Sequence, residues 1–191
     1  NNDDRIDELL VKFESNLTEV KFGDNKIKDV KIAYYKDKSF LDSEKKGLEE
    51  SNKKQTLQIP VQYLVSGESI TEDDKNSVVL SESIVKNTFE VENVEEIIGK
   101  DILLKSVIPD YEKNKTFEKK AKIIGVIDQR FFQPNILVSK DILEEVKNFH
   151  KGDKKYLYDR GADILELSVK DVNYIDSLIE YVENDLGFDT E

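Results

Sequence analysis

The sequence predicts an α+β fold, and three observations carry that prediction. Residues 17–22 and 30–34 alternate apolar and polar side chains, the period of a half-buried strand. Residues 84–89, 142–149 and 172–186 instead space their apolar side chains for one face of a helix. Residues 121–127, Ala-Lys-Ile-Ile-Gly-Val-Ile, are β-branched and apolar on both faces, as in a central strand.

The chain has 191 residues, enough for one large domain or two small ones. Hydrophobic residues make up 38% and charged residues 37%, which implies an organised core under a heavily charged surface. The formal charge is -12, from 41 acidic and 29 basic residues. That balance argues against nucleic-acid binding, which needs a basic stripe, and against lying flat on an anionic membrane. There is no cysteine, which removes disulfides, thiol nucleophiles and zinc–thiolate sites. No apolar stretch approaches the roughly 20 residues of a membrane span. The opening Asn1-Asn2-Asp3-Asp4 is neither a natural start nor a signal peptide, so the chain reads as an internal fragment of a longer protein. A mature chain after signal cleavage is the competing explanation. Abundant Asn, Lys, Asp, Glu and Ile point to an AT-rich bacterial genome.

Taken in order, 4–13 carries Ile6, Leu9, Leu10 and Phe13 at spacing i, i+3, i+4, i+7 and predicts a helix capped by Asp3 or Asp4. The strands 17–22 and 30–34 are separated by Gly23-Asp24-Asn25 and predict a hairpin. Residues 36–55 are charged and poor in large apolar side chains, a loop or short exposed helix. Residues 57–65 predict a strand whose Pro60 suits an edge, ended by a Ser66-Gly67 turn. Val78 to Leu80 predict a short strand, with Ser81 capping a helix to about Phe89 whose apolar side is Ile84, Val85 and Phe89. An apolar patch at 94–98 closes at Gly99. Strands follow at 102–107 and 121–127, joined by a charged hairpin or loop. A further strand, 136–138, leads to a helix ending near Phe149, capped by Ser139 or by Asp141 with Glu144 in capping-box spacing. The strand 164–169 and a helix from Asp171 finish the chain, with Gly187 placed as the C′ residue.

Several of these pieces form an ordered series: Ser66-Gly67-Glu68, Thr71-Glu72-Asp73-Asp74, Val78-Val79-Leu80-Ser81-Glu82, Phe89, Ile98-Gly99-Lys100, Ile124-Gly125-Val126 and Leu186-Gly187-Phe188. In this order and spacing, over about 61–191, the chain resembles the extracytoplasmic, MacB-like periplasmic core domain of MacB/FtsX-family ABC transporter permeases. It departs from the family pattern at Glu68, where an Arg is usual, and at 36–55, which has no counterpart.

The resemblance implies a two-lobed α+β domain. Residues 1–59 plus 119–191 would form a βαβ-containing, membrane-proximal lobe, and 60–118 an inserted smaller α/β lobe. It implies a non-catalytic domain at the cell membrane, on its extracytoplasmic side, between two membrane helices. The domain would contribute to export or mechanotransmission and to recognition of a partner or substrate. ATP hydrolysis would lie on a separate ATPase subunit or domain. Implied partners are that ATPase, a second permease copy or homologue, and an extracellular adaptor or peptide; nucleic acid is not among them. A free-standing secreted ligand-binding or adhesion domain is the alternative.

No residue pattern in the chain demands catalysis. The single histidine, His150, cannot build a multi-His metal site, and its place at a helix end suits a surface role. Glu72-Asp73-Asp74 lacks the alternating ligands, glycine and distal Glu of a calcium loop and reads as a solvated turn. Asp110, Glu112 and Asp128 are scattered. Gly99-Lys100 lacks the earlier glycine and following hydroxyl of a P-loop. No cofactor, metal or catalytic residue is therefore expected. The candidate partner contacts are two aromatic pairs, Phe131 with Phe132 before Gln133-Pro134, and Tyr156 with Tyr158 among Lys154, Lys155 and Arg160. Specificity is expected where the family pattern lapses: at 36–55, around Phe131 and at 151–160.

Overall fold

A computed structural model describes residues 3–36, 63–128, 136–152, 161–187 and 189–190. Eight strands share one sheet: β1 (Ile6–Phe22), β2 (Asn25–Tyr35), β3 (Leu64–Gly67), β4 (Ser77–Ser81), β5 (Asp101–Ile108), β6 (Lys115–Ile127), β7 (Ile136–Val138) and β8 (Ile164–Val169). Among the described residues there are also two α-helices, α1 (Lys140–Lys151) and α2 (Ile175–Glu180), and short 3-10 and π turns. The mixed composition is the α+β class expected.

The first expected element is overturned. Residues 6–13 are the first half of a 17-residue strand, not a helix. The residues of the helical spacing do not share one face: Phe13 packs against the main core, Leu10 against a second cluster, and Leu9 is exposed. Ladder partners exist on both sides instead: Phe13 lies opposite Tyr34 of β2, and Leu9 and Val11 lie opposite Leu167 and Leu165 of β8. Tertiary pairing decides between two readings of one apolar cluster. Asp3 caps no helix; its carboxylate accepts from the Arg5 amide and guanidinium.

β1 and β2 form the expected hairpin, turning at Gly23 with φ +58. The pairings then close on themselves. β1 joins β2, β2 joins β7 in parallel, β7 joins β4, β4 joins β6 in parallel, β6 joins β5, and β5 returns to β1. β6 is the hub, pairing β5 from Lys115 to Lys122 and then β4 and β3 up to Ile127. Its central place matches the apolar 121–127 pattern. β3 and β8 attach outside the ring, β3 to β6 and β8 to the start of β1.

Within the ring lies one core drawn from most elements, including Leu17, Ile32, Leu80, Ile102, Leu104, Ile123 and Ile136. α1 adds Ile142, Leu143 and Val146, its expected stripe. A smaller cluster of Ala33, Tyr63, Val79, Ile127 and Leu137 holds Tyr63 against the sheet. The expected boundary near 118/119 falls inside β6, and strands from either side of it share sheet and core.

The turn after β4 is wound as a π turn at Ile84–Thr88, closed by Phe89 N–H on the Ile84 carbonyl at 2.9 Å. Ser81 Oγ accepts from the Ile84 amide at 3.4 Å, and Ile84, Val85 and Phe89 are buried as expected. At α1 the N-cap is Ser139. The carboxylate of Asp141 is spent elsewhere: it accepts from the Asn76 amide, from Ser139 Oγ at 2.5 Å and from Lys119 Nζ at 3.2 Å. Burial works against the charge of Asp141, yet these donors hold its carboxyl below the usual range. They also pin Asn76 in the left-handed region at φ +51.

The C-terminal helical segment starts at Asp171, as expected. A 3-10 turn (Val172–Tyr174), α2 and a π turn (Tyr181–Asp185) follow one another, with Gly187 behind at φ +71. Its apolar stripe is a different matter. Only Leu178 is buried; Val182 is half-buried, and Val172, Ile175, Ile179 and Leu186 are exposed.

Candidate functional site

Several of the residues that mark the family-like pattern converge on one place, the second half of β6. Gly67 pairs with Gly125, and an added Cβ on either would lie 2.1 Å from a backbone oxygen of the other strand, Ile124 O or Glu68 O. Val78 to Ser81 run parallel beside Ile123 to Ile127, with a bulge at Gly125. Gly99, at φ +78, donates its amide to the Ile123 carbonyl at 2.7 Å and turns the chain into β5. All are backbone-fitting roles. Thr71-Glu72-Asp73-Asp74 is likewise an exposed turn, closed by Asp74 accepting from the Thr71 amide at 2.6 Å and hydroxyl at 2.8 Å.

Phe131, Phe132, Tyr156 and Tyr158 lie outside the described residues, as do 37–55 and 153–160. Among the described residues no group of three or more His, Asp or Glu side chains is placed to hold a metal ion.

One open cavity of about 390 Å³ is lined by Asn16, Thr18, Asp29, Ser106, Val107 and His150. It forms where the last turn of α1 meets β1 and β5. His150 stands between two hydroxyls, with Nε2 2.6 Å from Ser106 Oγ and Nδ1 3.3 Å from Ser15 Oγ. Asp29 reaches the cavity rim with φ +53. Sequence spacing gives no hint of this meeting, because Ser106 and His150 are 44 positions apart. A hydroxyl beside an imidazole resembles the start of an acyl-transfer site. The adjacent Val107 amide, however, is donated to Thr18 Oγ1 at 2.9 Å and is not offered to an oxyanion. The arrangement is a polar lock of α1 onto the sheet.

Burial, and after it the neighbouring Lys151, lowers the His150 pKa below its ordinary 6.5. The charged imidazole expected to favour a helix C-terminus is thus opposed by its surroundings. Because the folded pKa is depressed, the unfolded chain binds the extra proton, and the contribution of His150 to stability is present above pH 6.5 and lost as pH falls through the folded pKa. Melting curves between pH 5 and 8 are expected to show the wild-type melting temperature falling below about pH 6.5, with the fall weaker in His150→Gln. Parallel curves for the two proteins would contradict this.

The two ends of the described chain meet. Lys170 N–H donates to the Arg5 carbonyl at 3.1 Å, and Arg5 Nη1 reaches the Ser177 carbonyl at 2.9 Å and its hydroxyl at 3.1 Å. The guanidinium also lies 5.4 Å from the Tyr181 ring centre and binds Asp3, whose carboxyl it lowers from 3.8 to about 2.

No family model matches the chain, and no curated protein does. Among solved structures, the periplasmic region of MacB from Actinobacillus actinomycetemcomitans superposes with a TM-score of 0.56 at 18% identity, over 97% of this chain and 70% of that one. The fold is that of the MacB periplasmic region. A domain of a putative permease from Porphyromonas gingivalis is also similar, with a TM-score of 0.48 at 14% identity, over 97% of this chain and 72% of that one. In this MacB-type fold the glycine-bearing strands around β6 are the scaffold, while the cavity at His150 and the joined chain ends lie outside that motif series.

Proposed function

We propose that this chain is a non-catalytic extracytoplasmic domain of an ABC transporter permease. In this reading it sits on the outer side of the cell membrane, helps convert ATP-driven motion into export or mechanical output, and recognises a partner or substrate there. ATP is hydrolysed by a separate ATPase subunit or domain, and a second permease copy or homologue completes the assembly. The observation that carries the reading is the MacB-type fold over 97% of the chain. The Arg5 contacts support the mechanical part. They fasten the start of β1 to the C-terminal helical segment, so displacement of either end is passed into a closed ring of strands through β1.

This chain holds no cysteine, so labelling of one introduced here, measured against the unsubstituted parent protein, tests location directly. Tyr111, fully exposed on the β5–β6 loop, is replaced by cysteine in the full-length parent protein. A membrane-impermeant maleimide is expected to label it in intact cells, and the labelled protein is expected to sediment with membranes. Labelling only after lysis, or recovery in the culture medium, would overturn the proposal.

A further inference from the structure

Ten large hydrophobic side chains are exposed among the described residues, and nine of them lie on the β1–β8 ribbon and the C-terminal helical segment. Such concentration is not scattered surface hydrophobicity and calls for an occupant. On the helical segment the pattern is specific. Val172, Ile175, Ile179, Val182 and Leu186 follow one another at spacings of three, four, three and four, an apolar seam along the 3-10 turn, α2 and the π turn. Val172 is 72% exposed, Ile175 and Ile179 38%, and Leu186 49%. The inner side is already occupied: Leu178 is buried, and Ser177 and Tyr181 face Arg5.

The exposed charges beside the seam are acidic: Asp176, Glu183 and Asp185 are on the surface, and no Lys or Arg occurs between 171 and 191. Glu183 also accepts from the Thr190 hydroxyl. Charges that border an apolar contact between two helices choose the partner. Two copies of this segment would set carboxylate against carboxylate, and an anionic lipid surface would be repelled as well. A basic amphipathic helix satisfies both the apolar seam and its acidic edges.

We propose that the 172–186 segment docks a basic amphipathic helix of a protein or peptide partner along its apolar seam. The biological meaning rests on the recognition role proposed above. The experiment reads the surface alone, so its outcome is independent of where Tyr111→Cys is labelled.

The probes are a Leu/Lys amphipathic helical peptide and a Leu/Glu peptide of the same pattern, titrated into this chain by fluorescence anisotropy. The Leu/Lys peptide is expected to bind, more weakly as salt rises, and the Leu/Glu peptide not to bind. Ile175→Ser with Ile179→Ser is expected to weaken binding about tenfold. Asp176→Lys with Glu183→Lys is expected to invert the preference toward Leu/Glu. Glu72→Lys with Asp73→Lys, the same charge change elsewhere, is expected to leave the preference unchanged. These side chains are on the surface, and matching circular dichroism and melting curves establish that each variant is folded. The proposal is overturned if the control pair inverts the preference equally, if the seam variants bind as wild type, or if sedimentation shows self-association that the seam variants abolish.

Discussion

Gly125→Ala is expected to lower stability by about 3 kcal/mol or more, among the largest effects a single methyl group can have in this chain. Its backbone does not require glycine, since its φ is not positive. The requirement is steric. A Cβ at 125 would sit 2.1 Å from the Glu68 carbonyl oxygen and 3.1 Å from its carbon. Those are backbone atoms held in place from both sides: the Glu68 amide donates to Ile124 O at 2.8 Å, and β6 is paired on its other edge with β4. Relief therefore means peeling β3 away, which breaks the ladder and exposes Tyr63 and Leu64. Gly23→Ala is the control, for Gly23 has φ +58 but nothing within 4 Å of a new Cβ. It is expected to cost only the left-handed backbone strain, roughly 1 kcal/mol. Urea unfolding of the two variants measures the difference. Equal midpoints would show that the strand contact at Gly125 is not a constraint.

That steric reading explains why part of the fold was legible in the sequence. Gly67, Gly99 and the Val78-to-Ser81 run are separated along the chain but bound to the same six residues of β6, Gly125 among them. Their spacing is set by that local ladder, so the residues alone pointed to the architecture. α1 was legible for a similar reason, since its stripe meets a core and its capping residues are local. The start of β1 was not. Ile6, Leu9, Leu10 and Phe13 fit a helix, and it is β8, some 160 positions away, together with β2 at Phe13, that makes them a strand. The stripe 172–186 was legible as a helix, but its exposure was not, because periodicity reports a face and says nothing of what covers it. The His150 cavity depends on three elements meeting and left no local trace. The aromatic pairs at 131–132 and 156–158 lie outside the described residues, so their role as partner contacts stands as a proposal.

Leu80→Ala and Ile136→Ala are each expected to cost about 2–5 kcal/mol, and to do so in the same single transition. Both side chains are fully buried in one cluster. They come from opposite sides of the boundary near 118/119, and they are directly paired across β4 and β7. A lobe of residues 60–118 that unfolded by itself would have to strip β4 and β5 out of the ring, taking one ladder partner from β1 and one from β7 and both from β6. Chemical denaturation followed by tyrosine fluorescence and by far-ultraviolet circular dichroism should therefore superimpose for wild type and both variants, with equal slopes and shifted midpoints. Two separated transitions, one moved by Leu80→Ala and the other by Ile136→Ala, would establish independent lobes. The outcome also bears on the proposed mechanical role. A ring that unfolds as one unit strains as one unit, so a pull applied at Arg5 and Ser177 is carried through β1 to every strand. A pair of independent lobes would instead absorb that pull at their junction.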